Sequence, residues 1–291
     1  MISMKTNILV TGCNGQLGSE IKALADQYKQ YDFIFTDIGE LDITDKSQLE
    51  KMINNQGINC VINCAAYTAV DKAEDEMELA RLINKTAVLN LAEVTSQYKA
   101  LLVHISTDYV FDGKSYKPYT ETDNTNPKCF YGKSKLEGEI EVVFNAAKAI
   151  IIRTSWLYSS FGNNFVKTII KKGKEKGVLN VVYDQVGSPT YAKDLAQVLL
   201  QIIPQYSSAN RTEIYNFSNE GVISWYDFAK AIIEIKKIKC DVNPIETKSY
   251  PTPAARPFYS VLNKAKIKKD FNIQIPYWKD SLIECLTKIN E

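Results

Sequence analysis

Two side chains four positions apart carry the first chemical signal. Tyr131 and Lys135, in Tyr131-Gly132-Lys133-Ser134-Lys135, fall on one face of a helix that the apolar pattern places over 131–147. A phenol with an ordinary pKa of about 10 is a poor acid–base group at neutral pH, and a nearby ammonium stabilises the phenolate and lowers that value. The pair therefore suits proton transfer at an oxygen, the half of a ketone reduction that a hydride donor does not supply. Ser106-Thr107-Asp108 closes an apolar run at 101–105 that reads as a strand, and parallel sheets bind ligands at strand C-termini. Thr107 there can hold a carbonyl oxygen in line, with Asp108 beside it. Standing alone, Tyr-x-x-x-Lys is also a common decoration of a helix surface.

A second constellation supplies the context. Gly12-Cys13-Asn14-Gly15-Gln16-Leu17-Gly18 follows an apolar strand at 7–10 and opens a helix carrying Leu17, Ile21 and Leu24 on one face. Glycines there permit a tight turn and let backbone N–H groups approach a pyrophosphate at the helix N-terminus. The spacing is GxxGxxG, a variant of the dinucleotide fingerprint. Asp37 ends the next strand, 33–37, about twenty residues on, where a carboxylate can accept from a ribose diol and repel a 2′-phosphate. A turn aspartate is its plainer reading. Asp42, in Leu41-Asp42-Ile43, competes for the role or, with Ile43, lies near an adenine. Ala65-Ala66-Tyr67, after a third strand at 60–64, offers small residues where backbone passes close to a cofactor. Asn84 reads either as the anchor of a relay water or as a satisfied packing residue.

These residues need a scaffold of short apolar strands alternating with helices. Strands at 7–10, 33–37, 60–64, 101–105 and 149–153 alternate with helical stretches such as 76–97 and 131–147. Continuous Val/Ile/Leu strands of this kind predict a Rossmann-type, doubly wound parallel α/β sheet covered on both faces. After Arg153 the pattern loosens into a strand at 179–183, a helix at 192–203, a strand at 214–217 and two lysine-rich helices around a proline-rich loop at 250–257. The expected division is a dinucleotide-binding domain, 1–154 with 187–218, and a smaller mixed α/β substrate lobe, 155–186 with 219–291.

Composition excludes several classes. The 291 residues carry a formal net charge of +1, which gives no electrostatic case for nucleic acid or a membrane surface. A lysine cluster at 167, 171, 172, 174 and 176 reads as a solvated helix face. His104 is the single histidine, set in an apolar run, which removes Ser-His-Asp hydrolases and multi-histidine zinc sites and makes it a packed strand residue. Six cysteines without a CxxC pair and an N-terminus without a leader pattern read as reduced thiols in a cytoplasmic protein.

Together these motifs resemble the extended short-chain dehydrogenase/reductase superfamily and, within it, the dTDP-4-dehydrorhamnose reductase family. The likeness runs along nearly the whole chain: the glycine loop, 63–74, 106–113, 131–139, Arg153-Thr154-Ser155-Trp156-Leu157-Tyr158, Gly162-Asn163-Asn164-Phe165, 184–190 and 250–257. The last four blocks are the specific ones. The resemblance implies a catalytic trio of Thr107, Tyr131 and Lys135, an NADPH or NADH cofactor touching the last two as well, and a nucleotide-sugar substrate. It places Trp156 against the deoxysugar ring, with core packing as the alternative. It makes Arg256 a diphosphate clamp, against a structural salt bridge, and puts Asn164 and Gln185 in reach of sugar or base. Some members bind Mg²⁺ at a dimer interface; a homodimer follows as an expectation, and no residues of this chain stand out as the metal's ligands.

Three other readings share parts of this pattern. A 4,6-dehydratase resembles Thr-Asp-Glu at the strand end, where this chain has Tyr109 third. A C4 epimerase shares the trio without the later blocks. The non-catalytic regulatory subunit of methionine adenosyltransferase looks similar through the Tyr-x-x-x-Lys helix and departs at 153–156 and 184–188.

Overall fold

The computed structural model describes residues 5–206 and 211–289; of the expected domain spans, the ends at 1–4 and 290–291 and the internal stretch 207–210 lie outside them. Six parallel strands form the main sheet: β1 (Thr6–Thr11), β2 (Tyr31–Thr36), β3 (Cys60–Asn63), β4 (Leu101–Thr107), β5 (Ala149–Thr154) and β6 (Thr212–Phe217). Their order is β6-β5-β4-β3-β1-β2, so the sheet changes direction between β1 and β3, the switch point at which such sheets hold nucleotides. Apolar side chains alternate to the two faces and are buried on both. On one face Val10, Ile62, Val103 and Ile152 pack under the helices Gln16–Leu24 and Ala192–Tyr206; on the other Leu9, Val61, Leu102 and Ile151 pack under Lys46–Asn55, Ala87–Gln97 and Phe130–Asn145. The doubly wound α/β architecture expected from the strand runs is the one observed.

A further core outside this sheet gathers Ile169, Phe228, Ile232, Trp278 and Leu282, from the helices Phe165–Lys176, Trp225–Ile235 and Trp278–Lys288, with Val181 from the strand Val178–Val182. Val178–Val182 pairs there in parallel with Asp241–Ile245, a strand absent from the sequence reading. Pro244 hid it, since a proline without an N–H argues against a strand; in a two-stranded sheet each strand is an edge, and the missing donor costs little. Among the described residues the C-terminal stretch holds three α-helices rather than two, and Ala265–Phe271 packs on the main sheet through Ile267 and Phe271. The expected helix at 76–97 is broken: Met77–Arg81 and Ala87–Gln97 flank a π-helical turn at Leu82–Thr86.

Candidate active site

The glycine loop lies at the switch point. Gly12 has φ +64°, and a Cβ there would fall 2.6 Å from the Ala65 nitrogen and 2.7 Å from its Cα. Left-handed backbone and the close approach of Ala65 both demand glycine. A Cβ on Gly18 would fall 2.5 Å from the Gly12 carbonyl oxygen, so the first turn of the following helix sits directly on the loop. Gly15 is that helix's N-cap and supplies no side-chain acceptor, leaving the first-turn amides of Gln16, Leu17 and Gly18 for an anionic group.

Asp37 lies against this loop. Its Oδ2 accepts the Asn14 N–H at 3.0 Å and its Oδ1 the Ile38 N–H at 2.9 Å, which fixes the carboxylate beside the turn. Asp42 is engaged elsewhere, its Oδ1 accepting both the N–H and the hydroxyl of Thr44 at 2.9 and 2.7 Å. Ile43 is buried in the core under β1 and β3. Neither lines the cavity described below. Ala66 does line it, and Tyr67 is buried with its hydroxyl donating to Glu76 at 2.7 Å. Asn84 resolves to the packing alternative: its side chain bonds both the N–H and the C=O of Tyr67, at 2.9 and 3.0 Å, and donates to Ser134 Oγ at 3.0 Å. It fastens the Tyr67 turn to the Tyr131 helix.

Thr107, Asp108, Tyr131 and Lys135 converge on a cavity of about 540 Å³ that also reaches Gln16 and Trp156. All four are buried. The strand end and the helix Phe130–Asn145 meet closely because Gly132 has no side chain; a Cβ there would lie 2.3 Å from the Tyr109 carbonyl oxygen. Thr107 Oγ1 donates to Asp108 Oδ1 at 3.0 Å and accepts the Tyr109 N–H at 3.2 Å. Burial pushes the Tyr131 phenol well above its ordinary pKa, with a hydrogen bond to Thr107 working the other way, so at neutral pH this group holds its proton. Lys135 Nζ donates to the Ile105 carbonyl at 2.7 Å. Burial pulls it down to about 8, opposed by the charge of Glu139. Burial likewise raises the Asp108 carboxyl to about 7, and its Oδ2 has no hydrogen-bond partner among the described residues.

The remaining sequence candidates divide between two spaces. Trp156 and Asn164 line the first; Gln185 and Arg256 line an adjoining cavity of about 580 Å³, and Tyr109 borders both. Trp156 has φ +49°, and its indole stacks on Trp225 with centroids 3.6 Å apart and planes 12° from parallel. Asn164 is the N-cap of its helix: Oδ1 accepts the Lys167 N–H at 3.1 Å and Nδ2 donates to Gln16 Oε1 at 2.9 Å, tying the glycine loop to the start of the helix Phe165–Lys176. Gln185 donates to Thr247 Oγ1 at 3.1 Å. Arg256 forms the salt bridge of its plainer reading, Nη2 donating to Asp71 Oδ2 at 2.7 Å; its Nη1 is buried without a hydrogen-bond partner among the described residues, and the residue lines the cavity.

Several residues here escaped the sequence reading. Trp225 and Asp71 matter through partners far away in the chain. Lys172 and Lys176 are exposed, as a solvated face predicts, yet both border the second cavity and give it positive charge with Arg256. Their i,i+4 spacing was the available signal. Among the described residues no group of three or more His, Cys, Asp or Glu side chains is placed to hold a metal ion, and no helix is long and apolar enough to cross a membrane.

Residues 4–291 match the family model described as the RmlD substrate binding domain. The chain belongs to this family. It is 42% identical to a dTDP-4-dehydrorhamnose reductase of Aggregatibacter actinomycetemcomitans, over 94% of this chain and 96% of that one. A crystal structure of a dTDP-4-dehydrorhamnose reductase from Clostridium acetobutylicum superposes with a TM-score of 0.91 at 45% identity, covering 97% of this chain and 99% of that chain. One from Bacillus anthracis, solved in complex with NADP, gives 0.92 at 39% identity, covering 98% and 100%.

Proposed function

We propose that this protein reduces the C4 keto group of dTDP-4-dehydro-L-rhamnose to give dTDP-L-rhamnose, a sugar donor for surface polysaccharide. NADPH or NADH, when bound, supplies the hydride. The glycine-loop amides would hold the pyrophosphate and Asp37 the adenosine ribose; the features of this chain that fit such a ligand are Gly15, Gln16 and Leu17 on the cavity wall, at a helix N-terminus that no side chain caps. Thr107 orients the carbonyl, Tyr131 gives its proton to the developing alkoxide, and Lys135 supports the phenolate left behind. Asp108 and Trp156 border the sugar, and Arg256, with Gln185 in the adjoining space, faces the diphosphate and nucleoside. The diphosphate then contributes binding energy far from the reacting carbon that helps to orient it.

The observation that carries this reading is the meeting of a buried Tyr131 with Thr107 and Lys135 beside a second cavity of nucleotide size bordered by Arg256, Lys172 and Lys176. The names of the relatives supply the particular sugar. The reading includes the division into a cofactor domain, 1–154 with 187–218, and a substrate lobe, 155–186 with 219–291, with cytoplasmic location and a homodimer as further parts. Its test couples the upstream dehydratase and epimerase to the purified protein, following cofactor oxidation and product mass together. A folded protein that binds NADPH and never forms the sugar nucleotide heavier by two hydrogens would point instead to a regulatory subunit.

A further inference from the structure

Behind Lys135 lies a charged group that the proton-transfer scheme does not use. Glu139 follows Lys135 by one helical turn, and its side chain and that of Arg153 are each 3% exposed. Glu139 Oε1 accepts from Arg153 Nε at 2.9 Å and from the Ser106 hydroxyl at 2.5 Å; Oε2 accepts from Arg153 Nη2 at 2.6 Å. Three donors on one carboxyl are the arrangement of a carboxylate. Arg153 is itself clamped, donating through Nη1 to the Glu121 carbonyl at 3.2 Å and lying 5.0 Å from the centre of the Phe111 ring. Ser106 and Arg153 are register partners on β4 and β5, and Ser106 directly precedes Thr107. The network thus joins the strand end, the neighbouring strand and the helix that carries Tyr131 and Lys135.

Stability alone is a poor reason for it. Desolvating two charges commonly costs as much as their attraction returns, and apolar replacements of such pairs are often neutral or stabilising. Its position suggests another role. The ionisable groups around Lys135 are Tyr131 and Glu139 on its own helix, His104 on β4, Asp108 at the end of β4, and Arg153 on β5. His104 is fully buried, and burial first, then the Lys135 charge, hold it neutral. Burial favours the protonated form of Asp108. Glu139 is the anion left to balance the buried ammonium.

We propose that Glu139, locked by Arg153 and Ser106, is a positioning residue of the reductase site whose fixed charge keeps Lys135 protonated while Tyr131 donates. This rests on the reading of Tyr131 and Lys135 given above. The structure adds that burial alone draws Lys135 down and that Glu139 is what opposes it.

The test measures NADPH affinity by fluorescence, and kcat/KM separately, across pH. In the wild type both should fall on the alkaline side near the Lys135 value of about 8. In Glu139→Gln the fall should move to lower pH by about one unit, the direction expected when an opposite charge is removed. Because Glu139→Gln strands the Arg153 guanidinium and can unfold the protein, Glu139→Gln/Arg153→Met is made as well; having lost a cation along with the nearer anion, it should fold and show a smaller displacement in the same direction. Glu139→Asp should return the fall towards its wild-type place. Lys135→Met should bind NADPH weakly with no alkaline fall. A fall that vanishes in Lys135→Met yet stays in place in the folded double variant overturns the inference alone. One that survives Lys135→Met removes the lysine from the site, and this inference with it.

Discussion

Replacing Asp37 separates two forces that act on cofactor choice. Its carboxylate is half-buried and held by the amides of Asn14 and Ile38, so it cannot swing away from a group placed beside the loop. A 2′-phosphate on the adenosine ribose would then meet a fixed negative charge. At about 5–6 Å two unit charges repel by ~0.7 kcal/mol in water and by ~3 kcal/mol at a protein-surface dielectric. Partial exposure and salt bring the working value to about 1–2 kcal/mol. Asp37→Asn should therefore raise the NADPH/NADH ratio of kcat/KM by roughly 5–30-fold. Asparagine keeps an acceptor for one of the two amides. The amide it leaves unpaired loosens the loop, at a cost of about 1 kcal/mol that falls on both cofactors alike. Taking the ratio cancels that term, which is why the ratio is the readout. Steady-state kinetics with both cofactors at matched salt measure it, and added salt should shrink the effect. A ratio that stays within about twofold of wild type would remove Asp37 from the ribose site and refute the charge argument.

Tyr131→Phe should leave NADPH affinity nearly intact and lower turnover by roughly 10²–10⁴-fold, the usual worth of a positioned proton donor; stopped-flow and binding titrations check both halves. Arg256→Ala should reduce kcat/KM for the nucleotide sugar while NADPH affinity stays put, read from paired inhibition by a nucleoside diphosphate and cofactor titration. Asp108 gives a stability prediction. Burial raises its carboxyl in the folded chain from an ordinary 3.8 to about 7, so its contribution is present below about pH 4 and lost as pH climbs through 7. Asp108→Asn should flatten that part of the thermal-midpoint profile, and an unchanged slope would place the titration elsewhere.

The fold was legible where the physics is local. Runs such as Ile8-Leu9-Val10 and Ile150-Ile151-Ile152 are buried on both faces, and only a sheet covered on both sides asks that of every residue. The glycine loop was legible because a strand, a positive-φ turn and a helix follow one another within a dozen residues. Pro244 concealed a strand because its tolerance depends on the strand having an edge, a tertiary fact. The break at Leu82–Thr86 contains neither glycine nor proline, and Asn84 alone does not interrupt an otherwise helical pattern. Asn164, which the family resemblance puts near sugar or base, also caps its helix, and Asp42, the rival to Asp37 for the ribose, also braces a turn; spacing does not announce either bond. The pairs Trp156–Trp225 and Asp71–Arg256 lie far apart in sequence, so neither partner could announce the other. Glu139 looked like one more charge on a helix until Arg153 and Ser106 closed on it from two strands.

The central claim is that this cavity directs hydride to the sugar's C4 while Tyr131 protonates the oxygen. Cofactor carrying deuterium at the transferable C4 position, given with dTDP-4-dehydro-L-rhamnose in ordinary water, tests it directly by NMR of the product. The account predicts a single deuterium on sugar C4 of dTDP-L-rhamnose, and the same label, formed far more slowly, with Tyr131→Phe. Deuterium at another carbon, or a sugar nucleotide left unreduced by folded protein that binds the cofactor, would contradict it.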